Sequence, residues 1–169
     1  MQRGAGDQAM KLDTIRRPFQ PLIRRLMHAY WRLSRGLTLG VRAVILDGEG
    51  RVFLVKHSYV PGWHLPGGGV EVGETVVTAL ERELREEGNI ELAEPPILHA
   101  VYFNRRVSRR DHVVLYVVRA FRQTAPPQPN REIVDHGFFA TDALPADTTR
   151  ATRERIAEVL TGRPAAELW

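Results

Sequence analysis

Residues 67–90 read GGGVEVGETVVTALERELREEGNI. The stretch opens on three glycines and predicts a helix over 75–87. Asn89 follows where glycine is usual, and asparagine is the next best residue in the left-handed conformation of a helix C-cap. With Val76 at zero and about 100° per residue, Leu80, Leu84 and Val77 fall at roughly 40°, 80° and 100° and define the buried stripe. Glu83, Glu86 and Glu87 fall at roughly −20°, −80° and 20°, bordering or overlapping that stripe. A glutamate-rich helix ordinarily presents a solvated acidic face, which would set these residues opposite the stripe. That outer side belongs instead to Thr78, Arg85 and Glu81.

Such placement is locally unfavourable. Like charges at i,i+3 and i,i+4 repel by about a few tenths of a kcal/mol per pair. Carboxylates near a helix C-terminus oppose the macrodipole, and partial burial adds a desolvation cost. A divalent cation reverses all three signs. Hard cations take oxygen ligands and suit carboxylate clusters, so the helix reads as one wall of a Mg²⁺ or Mn²⁺ site. Gly67, Gly68 and Gly69 let the backbone come close to an ion or a phosphate, and a carbonyl of this loop is a candidate for the coordination.

Working outward, residues 41–46 and 52–55 are rich in β-branched and apolar side chains. Asp47-Gly48-Glu49-Gly50 lies between them as a turn signal, so a hairpin is expected. Residues 58–69 are a Gly/Pro-rich loop. Pro95-Pro96 breaks the chain after the helix. Residues 97–103 and 112–121 then read as strands joined by an Arg-rich connection, 125–130 as a proline-rich loop, 137–140 as a short strand and 150–160 as a closing helix. Interleaved strands and helices with antiparallel signals make an α/β domain, with a mixed sheet between helices, the expected fold.

The 169 residues suit one domain plus a small appendage. Hydrophobic residues at 43% and charged residues at 26% are those of a globular chain. Cysteine is absent, which excludes disulfides, thiolate nucleophiles, zinc ribbons and iron–sulfur clusters. No apolar run approaches the roughly 18 residues of a membrane-spanning helix, and no secretory leader is visible, so a soluble cytoplasmic protein is expected.

Charge is uneven. Residues 1–36 hold eight Lys/Arg against two Asp, whereas 37–169 hold 16 against 18 acidic residues, so the formal net charge of +4 comes from the N-terminal segment. A general affinity for nucleic acid does not follow from it. Residues 1–13 read as a mobile tail. Pro18-Phe19-Gln20-Pro21 leads into a basic amphipathic helix to about Arg35. There Leu22, Ile23, Leu26, Met27, Tyr30 and Leu33 recur at spacings of three and four, and Arg24, Arg25, His28, Arg32 and Arg35 take other positions. The division is therefore 1–36, tail and basic helix, and 37–169, the main domain. The helix reads as a packing element against that domain or against a second subunit in a homodimer, in preference to an anionic membrane surface or nucleic acid.

Residues 68–90 resemble the Nudix box, Gly-x5-Glu-x7-Arg-Glu-U-x-Glu-Glu-x-Gly-U with U aliphatic. Gly68, Glu74, Arg82, Glu83, Leu84, Glu86, Glu87 and Ile90 fall in register, and Asn89 alone departs, standing where the pattern has glycine. The lead-in Trp63-His64-Leu65-Pro66-Gly67-Gly68 is also similar to the family. The resemblance covers 23 of 169 residues. It implies a Nudix-type α/β/α sandwich around a mixed sheet in 37–169. It also implies a Mg²⁺- or Mn²⁺-dependent hydrolysis of a nucleoside diphosphate linked to another group.

On the family's pattern Glu83, Glu86 and Glu87 are metal ligands, Gly68 supplies a carbonyl, and Glu74 pairs with Arg82 to hold the loop on the helix. Glu132, in Asn130-Arg131-Glu132-Ile133-Val134, resembles the loop glutamate of MutT-like members and is a candidate ligand or base, ahead of Asp135, Glu94 and His112. Arg42, Lys56, Gly67, Gly69 and Arg105, the last beside Arg106, Arg109 and Arg110, are candidates for contacts to substrate phosphates. Trp63, Tyr102 and Phe138 are candidates to stack on a base, with core packing as the alternative.

The expected partner is a small-molecule nucleotide. A nucleoside triphosphate or a relative is favoured, because the zinc-ribbon cysteines of many NADH-cleaving members are absent and no downstream mark of ADP-ribose or dinucleoside polyphosphate cleavage is visible. Two alternatives stay open. One is a non-hydrolytic nucleotide sensor, although such members usually have lost box carboxylates. The other is an RNA 5′-pyrophosphohydrolase using the basic N-terminal helix as its RNA contact.

Overall fold

Two strands set the layering. In β1 (Thr38–Ile45) and β2 (Val52–His57) side chains alternate between faces, and both faces are apolar. Val41, Ala43, Ile45, Phe53 and Val55 pack on one side with Ala79, Leu80 and Leu84 of helix α1 (Val76–Gly88). Val44, Leu46, Val52 and Leu54 pack on the other with Trp63, Leu65, Leu115 and Ile156, the last from helix α2 (Arg150–Thr161). Strands buried on both faces between two helices make an α/β/α sandwich.

These relations come from a computed structural model, which describes residues 21, 24–31, 34, 36–127 and 131–169. Residues 24–31 are helical, with Leu26, Met27, Tyr30 and Trp31 exposed. The tail 1–13, the lead-in Pro18-Phe19-Gln20, and Leu22, Ile23, Arg32, Leu33 and Arg35 of the expected helix lie outside the described residues, as does Asn130. Two units are distinguished, one ending at Leu37 and the other running from Thr38 to Trp169. No described helix is long and apolar enough to cross a membrane.

The strand pairing is mixed. β1 runs parallel to β6 (Asp111–Val118), with Thr38 opposite Asp111 and Ile45 opposite Val118. β6 pairs antiparallel with β5 (Ile97–Phe103). β2 is flanked antiparallel by β3 (Trp63–His64) and β8 (Ile133–Phe139). β4 (Ile90–Leu92) and β7 (Phe121–Gln123) form a further antiparallel pair. The expected hairpin is thus only half realised. Its turn forms, with the Gly50 N–H donating to Asp47 O and the Asp47 carboxylate accepting from the N–H groups of Glu49 and Arg51. A single bridge, Leu46 to Val52, then joins the arms before they part to different partners. Turn chemistry is local, whereas β1 and β6, apolar on both faces, gain more by pairing in the sheet interior.

The caps of α1 fix where its carboxylates point. Thr75 is the N-cap, and its hydroxyl oxygen accepts from the Thr78 N–H at 3.1 Å. Asn89 adopts the left-handed conformation, φ 49°, and its N–H donates to Arg85 O at 3.0 Å. The one departure from the Nudix pattern therefore keeps the cap geometry. It also adds a tie, because Asn89 Nδ2 donates to Ala125 O at 2.9 Å.

Candidate active site

The glycine loop is pressed onto α1. The Gly67 N–H donates to Glu87 Oε2 at 2.7 Å. Gly67 has φ 131°, and a Cβ there would collide with Val41 O, so only glycine fits. A Cβ on Gly68 would collide with the Glu83 carboxylate, which lies directly against the backbone. Arg82 locks the arrangement. Its Nη2 donates to Glu74 Oε1 and Gly69 O, both at 3.0 Å, and its Nη1 to Glu83 Oε1 at 2.7 Å. Those two carboxylates hold the guanidinium charged well above its ordinary range, and Arg82 in turn holds Glu74 below the usual carboxylate value. From the opposite side Arg42 Nη1 donates to the carbonyls of Leu65 and Gly67. Each end of the loop is thus gripped by one arginine.

Glu87 carries the main electrostatic cost. It is only 7% exposed. Burial pushes its carboxyl up to about 7; Arg42 and the Gly67 N–H oppose the rise, and the facing Glu83 and Glu132 add to it. His57 is equally buried, with Nε2 3.7 Å from Glu87 Oε1 and neither ring nitrogen hydrogen-bonded. Burial, with Arg42 and His64 nearby, pulls His57 down to about 4, so at neutral pH it brings no positive charge to Glu87. Burial and the carboxylates of Glu132, Glu87 and Glu83 push the Tyr59 hydroxyl up.

Glu83, Glu87, Glu132, His57 and Arg42 face one cavity of about 670 Å³. Glycines 67–69 form part of its wall, and Asn104, Arg106 and Trp169 line it as well. Glu132 reaches the cavity through an irregularity in the sheet. The β2–β8 register shifts between Lys56 and His57, and the Ser58 N–H donates to Glu132 O at 2.8 Å. Bulges of this kind re-aim side chains beside sites.

Not every expected residue is brought in. Of the three glutamates expected on or beside the buried stripe, Glu87 and Glu83 are largely buried, whereas Glu86 has a side chain 61% exposed and 3.8 Å from Arg82. Glu86 is not among the cavity residues. Lys56 is also elsewhere, bonded to Asp147 at 2.8 Å and lying over the Trp63 ring. Arg105 is not among the cavity residues, and its neighbour Arg106 stands there instead. All three aromatic candidates belong to packing. Trp63 stacks edge-on with Phe139, Tyr102 is fully buried, and Phe138 packs on Phe53 and Phe121.

His57, Tyr59 and Trp169 line the cavity without having been singled out. Each gains its place from elements distant in the chain, and only the histidine at the end of an apolar strand offered a faint cue.

The donor set fits a hard divalent cation in its chemistry, being carboxylate and carbonyl oxygens around a buried, under-neutralised glutamate. Among the described residues, no three acidic or histidine side chains are already gathered as a complete cation site.

Fold and site together define a class of α/β/α sandwich in which an acidic helix meets a glycine loop at one end of a cavity. The chain belongs to the NUDIX family, whose domain profile matches residues 36–160. Among solved structures it is similar to a MutT NUDIX hydrolase from Burkholderia pseudomallei, at 32% identity and a TM-score of 0.61, covering 72% of this chain and 97% of that one. Among curated proteins it is 35% identical over 79 residues to an RNA pyrophosphohydrolase of Halorhodospira halophila, covering 46% of this chain and 44% of that protein. It is 38% identical over 73 residues to an 8-oxo-dGDP phosphatase of Homo sapiens, covering 41% of this chain and 22% of that protein. The chain spans less than half the length of these two curated relatives.

Proposed function

We propose that this protein is a divalent-cation-dependent pyrophosphohydrolase. It cleaves the diphosphate linkage of a nucleoside diphosphate joined to another group, with nucleoside triphosphates and their relatives as the first substrates to try. The observation that carries the reading is the convergence of Glu83 and Glu87 on the glycine loop at a cavity that also takes in Glu132 and Arg42. Mg²⁺ or Mn²⁺ held by Glu83, Glu87, Glu132 and the Gly68 carbonyl would neutralise phosphate charge and lower the pKa of a water, whereas Glu86 stands outside the cavity.

The chain's own residues have definite tasks in this reading. Arg82 and Glu74 keep the loop and Glu83 in place. Glu132 or Glu87 accepts the proton of the attacking water. Arg42, with Gly67 and Gly69, shapes the loop against the phosphates, and Arg106 in place of Arg105 meets the substrate at the far end of the cavity. All these residues lie between Thr38 and Trp169, so the reading requires no second subunit. A free nucleotide substrate goes with a cytoplasmic location.

The test is a substrate panel with Mg²⁺ and with Mn²⁺, read by phosphate and pyrophosphate release. Glu83→Gln, folded by circular dichroism, is expected to lose at least about a hundredfold in activity. Wild-type turnover by that variant, or no turnover of any substrate by the wild type, overturns the reading.

A second reading, removal of 5′ pyrophosphate from RNA, is favoured by the basic turn that holds Arg105, Arg106, Arg109 and Arg110, one of which lines the cavity. The name of the Halorhodospira halophila relative points the same way. Turnover confined to 5′-triphosphorylated RNA would decide for it.

A further inference from the structure

Trp169 lines the same cavity as Glu83 and Glu87, although no sequence motif includes it. It arrives there on a short strap laid along the edge of β5. The Phe103 N–H donates to Glu167 O at 2.9 Å, the Trp169 N–H donates to Phe103 O at 3.2 Å, and Leu168 bridges Phe103 in parallel.

Beneath the strap sits a buried polar group that the phosphate chemistry does not use. Arg155, 2% exposed, donates through Nη1 to Leu168 O at 2.8 Å and through Nη2 to Glu158 Oε1 at 2.7 Å. Glu158 also accepts from the Tyr102 hydroxyl at 2.8 Å and from the Ala166 N–H at 3.3 Å. The Arg155 guanidinium lies 4.4 Å from the Tyr102 ring centroid, and the Trp169 indole meets Tyr102 edge-on at 5.4 Å. The buried arginine thereby ties the strap to α2 and to Glu158.

The sheet register measures how far this strap stands from the carboxylates. Leu168 is opposite Phe103, Phe103 opposite His112 and His112 opposite Leu39, and the next residue, Gly40, bridges Gly69. That is four inter-strand steps of roughly 4.8 Å each. The cavity therefore runs from an acidic, glycine-walled end to an aromatic end, where Asn104, Arg106 and Thr152 join Trp169. A molecule with phosphates at the first end places its far, planar portion at the second.

We infer that Trp169 is a specificity-determining residue, its indole forming the wall against which the nucleobase of the substrate lies, and that Arg155 is the positioning residue that holds it there. This inference rests on the pyrophosphohydrolase reading for the identity of the other end. An aromatic side chain stacked on a base is worth roughly fivefold to over a hundredfold in affinity.

The experiment compares wild type, Trp169→Ala, Trp169→Phe and Arg155→Met on ATP, GTP, CTP and UTP, and on inorganic tripolyphosphate, which has no base. Folding is monitored by near-ultraviolet circular dichroism. Trp169→Ala is expected to raise KM for the four nucleotides at least tenfold, with a much smaller change in kcat and at least tenfold less loss in kcat/KM on tripolyphosphate. Trp169→Phe restores most of the KM. Arg155→Met reproduces the KM effect of Trp169→Ala, a split that general loosening of the fold would not give.

Equal losses on nucleotides and tripolyphosphate, or nucleotide KM values within twofold of wild type, overturn the inference. If the wild type hydrolyses none of the five compounds, nucleoside triphosphates are not its substrates, and equilibrium binding of the same nucleotides decides the inference alone. Binding that is weakened at least tenfold in Trp169→Ala upholds it. Unaffected binding, or no binding by the wild type, overturns it.

Discussion

Glu87 and Glu158 lie on the two helices that cover opposite faces of the sheet, and they are equally buried, at 7% and 8% exposure. Their surroundings are opposite. Glu158 receives an arginine, a tyrosine hydroxyl and a backbone N–H. Glu87 receives one backbone N–H, has only the charge of nearby Arg42 in its favour, and faces two further carboxylates and an uncharged histidine. A buried carboxylate that is paired and hydrogen-bonded can be held at little net cost, whereas one left short of partners is a standing cost. The lesson is that burial alone does not separate structure from chemistry. The number of positive and N–H partners does, and a buried acid short of partners marks the place where a cation or a proton is wanted.

The largest expected effect lies on the satisfied side. Arg155→Met strands Glu158 in the interior and should lower the unfolding free energy by about 3–5 kcal/mol, read from urea denaturation. A loss under about 1 kcal/mol would mean that the pair carries no structural load.

Next comes one substitution made at both sites. In chelator at pH 8, Glu158→Gln should destabilise by about 1–3 kcal/mol, because a charge-assisted bond is lost. Glu87→Gln should stabilise by up to about 3 kcal/mol, because an amide needs no cation in a buried place. Effects of the same sign at both positions would break the comparison.

The pH dependence sharpens it. Folding lifts Glu87 from 4.5 to about 7, so the folded state keeps a proton that the unfolded chain releases. Its contribution is complete below about pH 4.5 and is lost as pH rises to about 7. Folding lowers His57 from 6.5 to about 4, so its contribution is lost as pH falls through that window. The two slopes oppose each other between about pH 4.5 and 6.5, so the contributions of Glu87 and His57 largely cancel there in chelator. Glu87→Gln should unmask a loss towards acid and His57→Gln a loss towards neutrality, each on the order of 2 kcal/mol. Parallel pH profiles for the two variants would show that neither shift exists.

The smallest effect is at Lys56, which the sequence offered as a phosphate contact and the fold assigns to Asp147. Lys56→Ala should move the thermal midpoint by no more than about 2 °C and leave KM for the substrate unchanged. A several-fold rise in KM would return it to the site.

Much of this was legible in the chain alone because it depends on short-range spacing. The angular positions of Leu80 and Leu84 foretell the buried stripe of α1, and those of Glu83 and Glu87 foretell their burial, whereas Glu86, set on the same border, is exposed. Asn89 announces its cap, and of the three glycines expected to allow a close approach, Gly67 and Gly68 do so against Val41 and Glu83, whereas Gly69 has open space around it. The Glu74–Arg82 pair follows from the resemblance of residues 68–90 to a known pattern. What the tertiary structure alone decided involves residues that meet across the sheet. It parted β1 from β2, left Lys56 and Arg105 outside the cavity, and brought His57 beside Glu87. It also carried Trp169 to the far wall of a cavity whose other wall is a glycine loop. Periodicity records which face of an element a residue occupies. Which other element that face will meet is settled by burial and register among strands distant in the chain, and spacing holds no record of that.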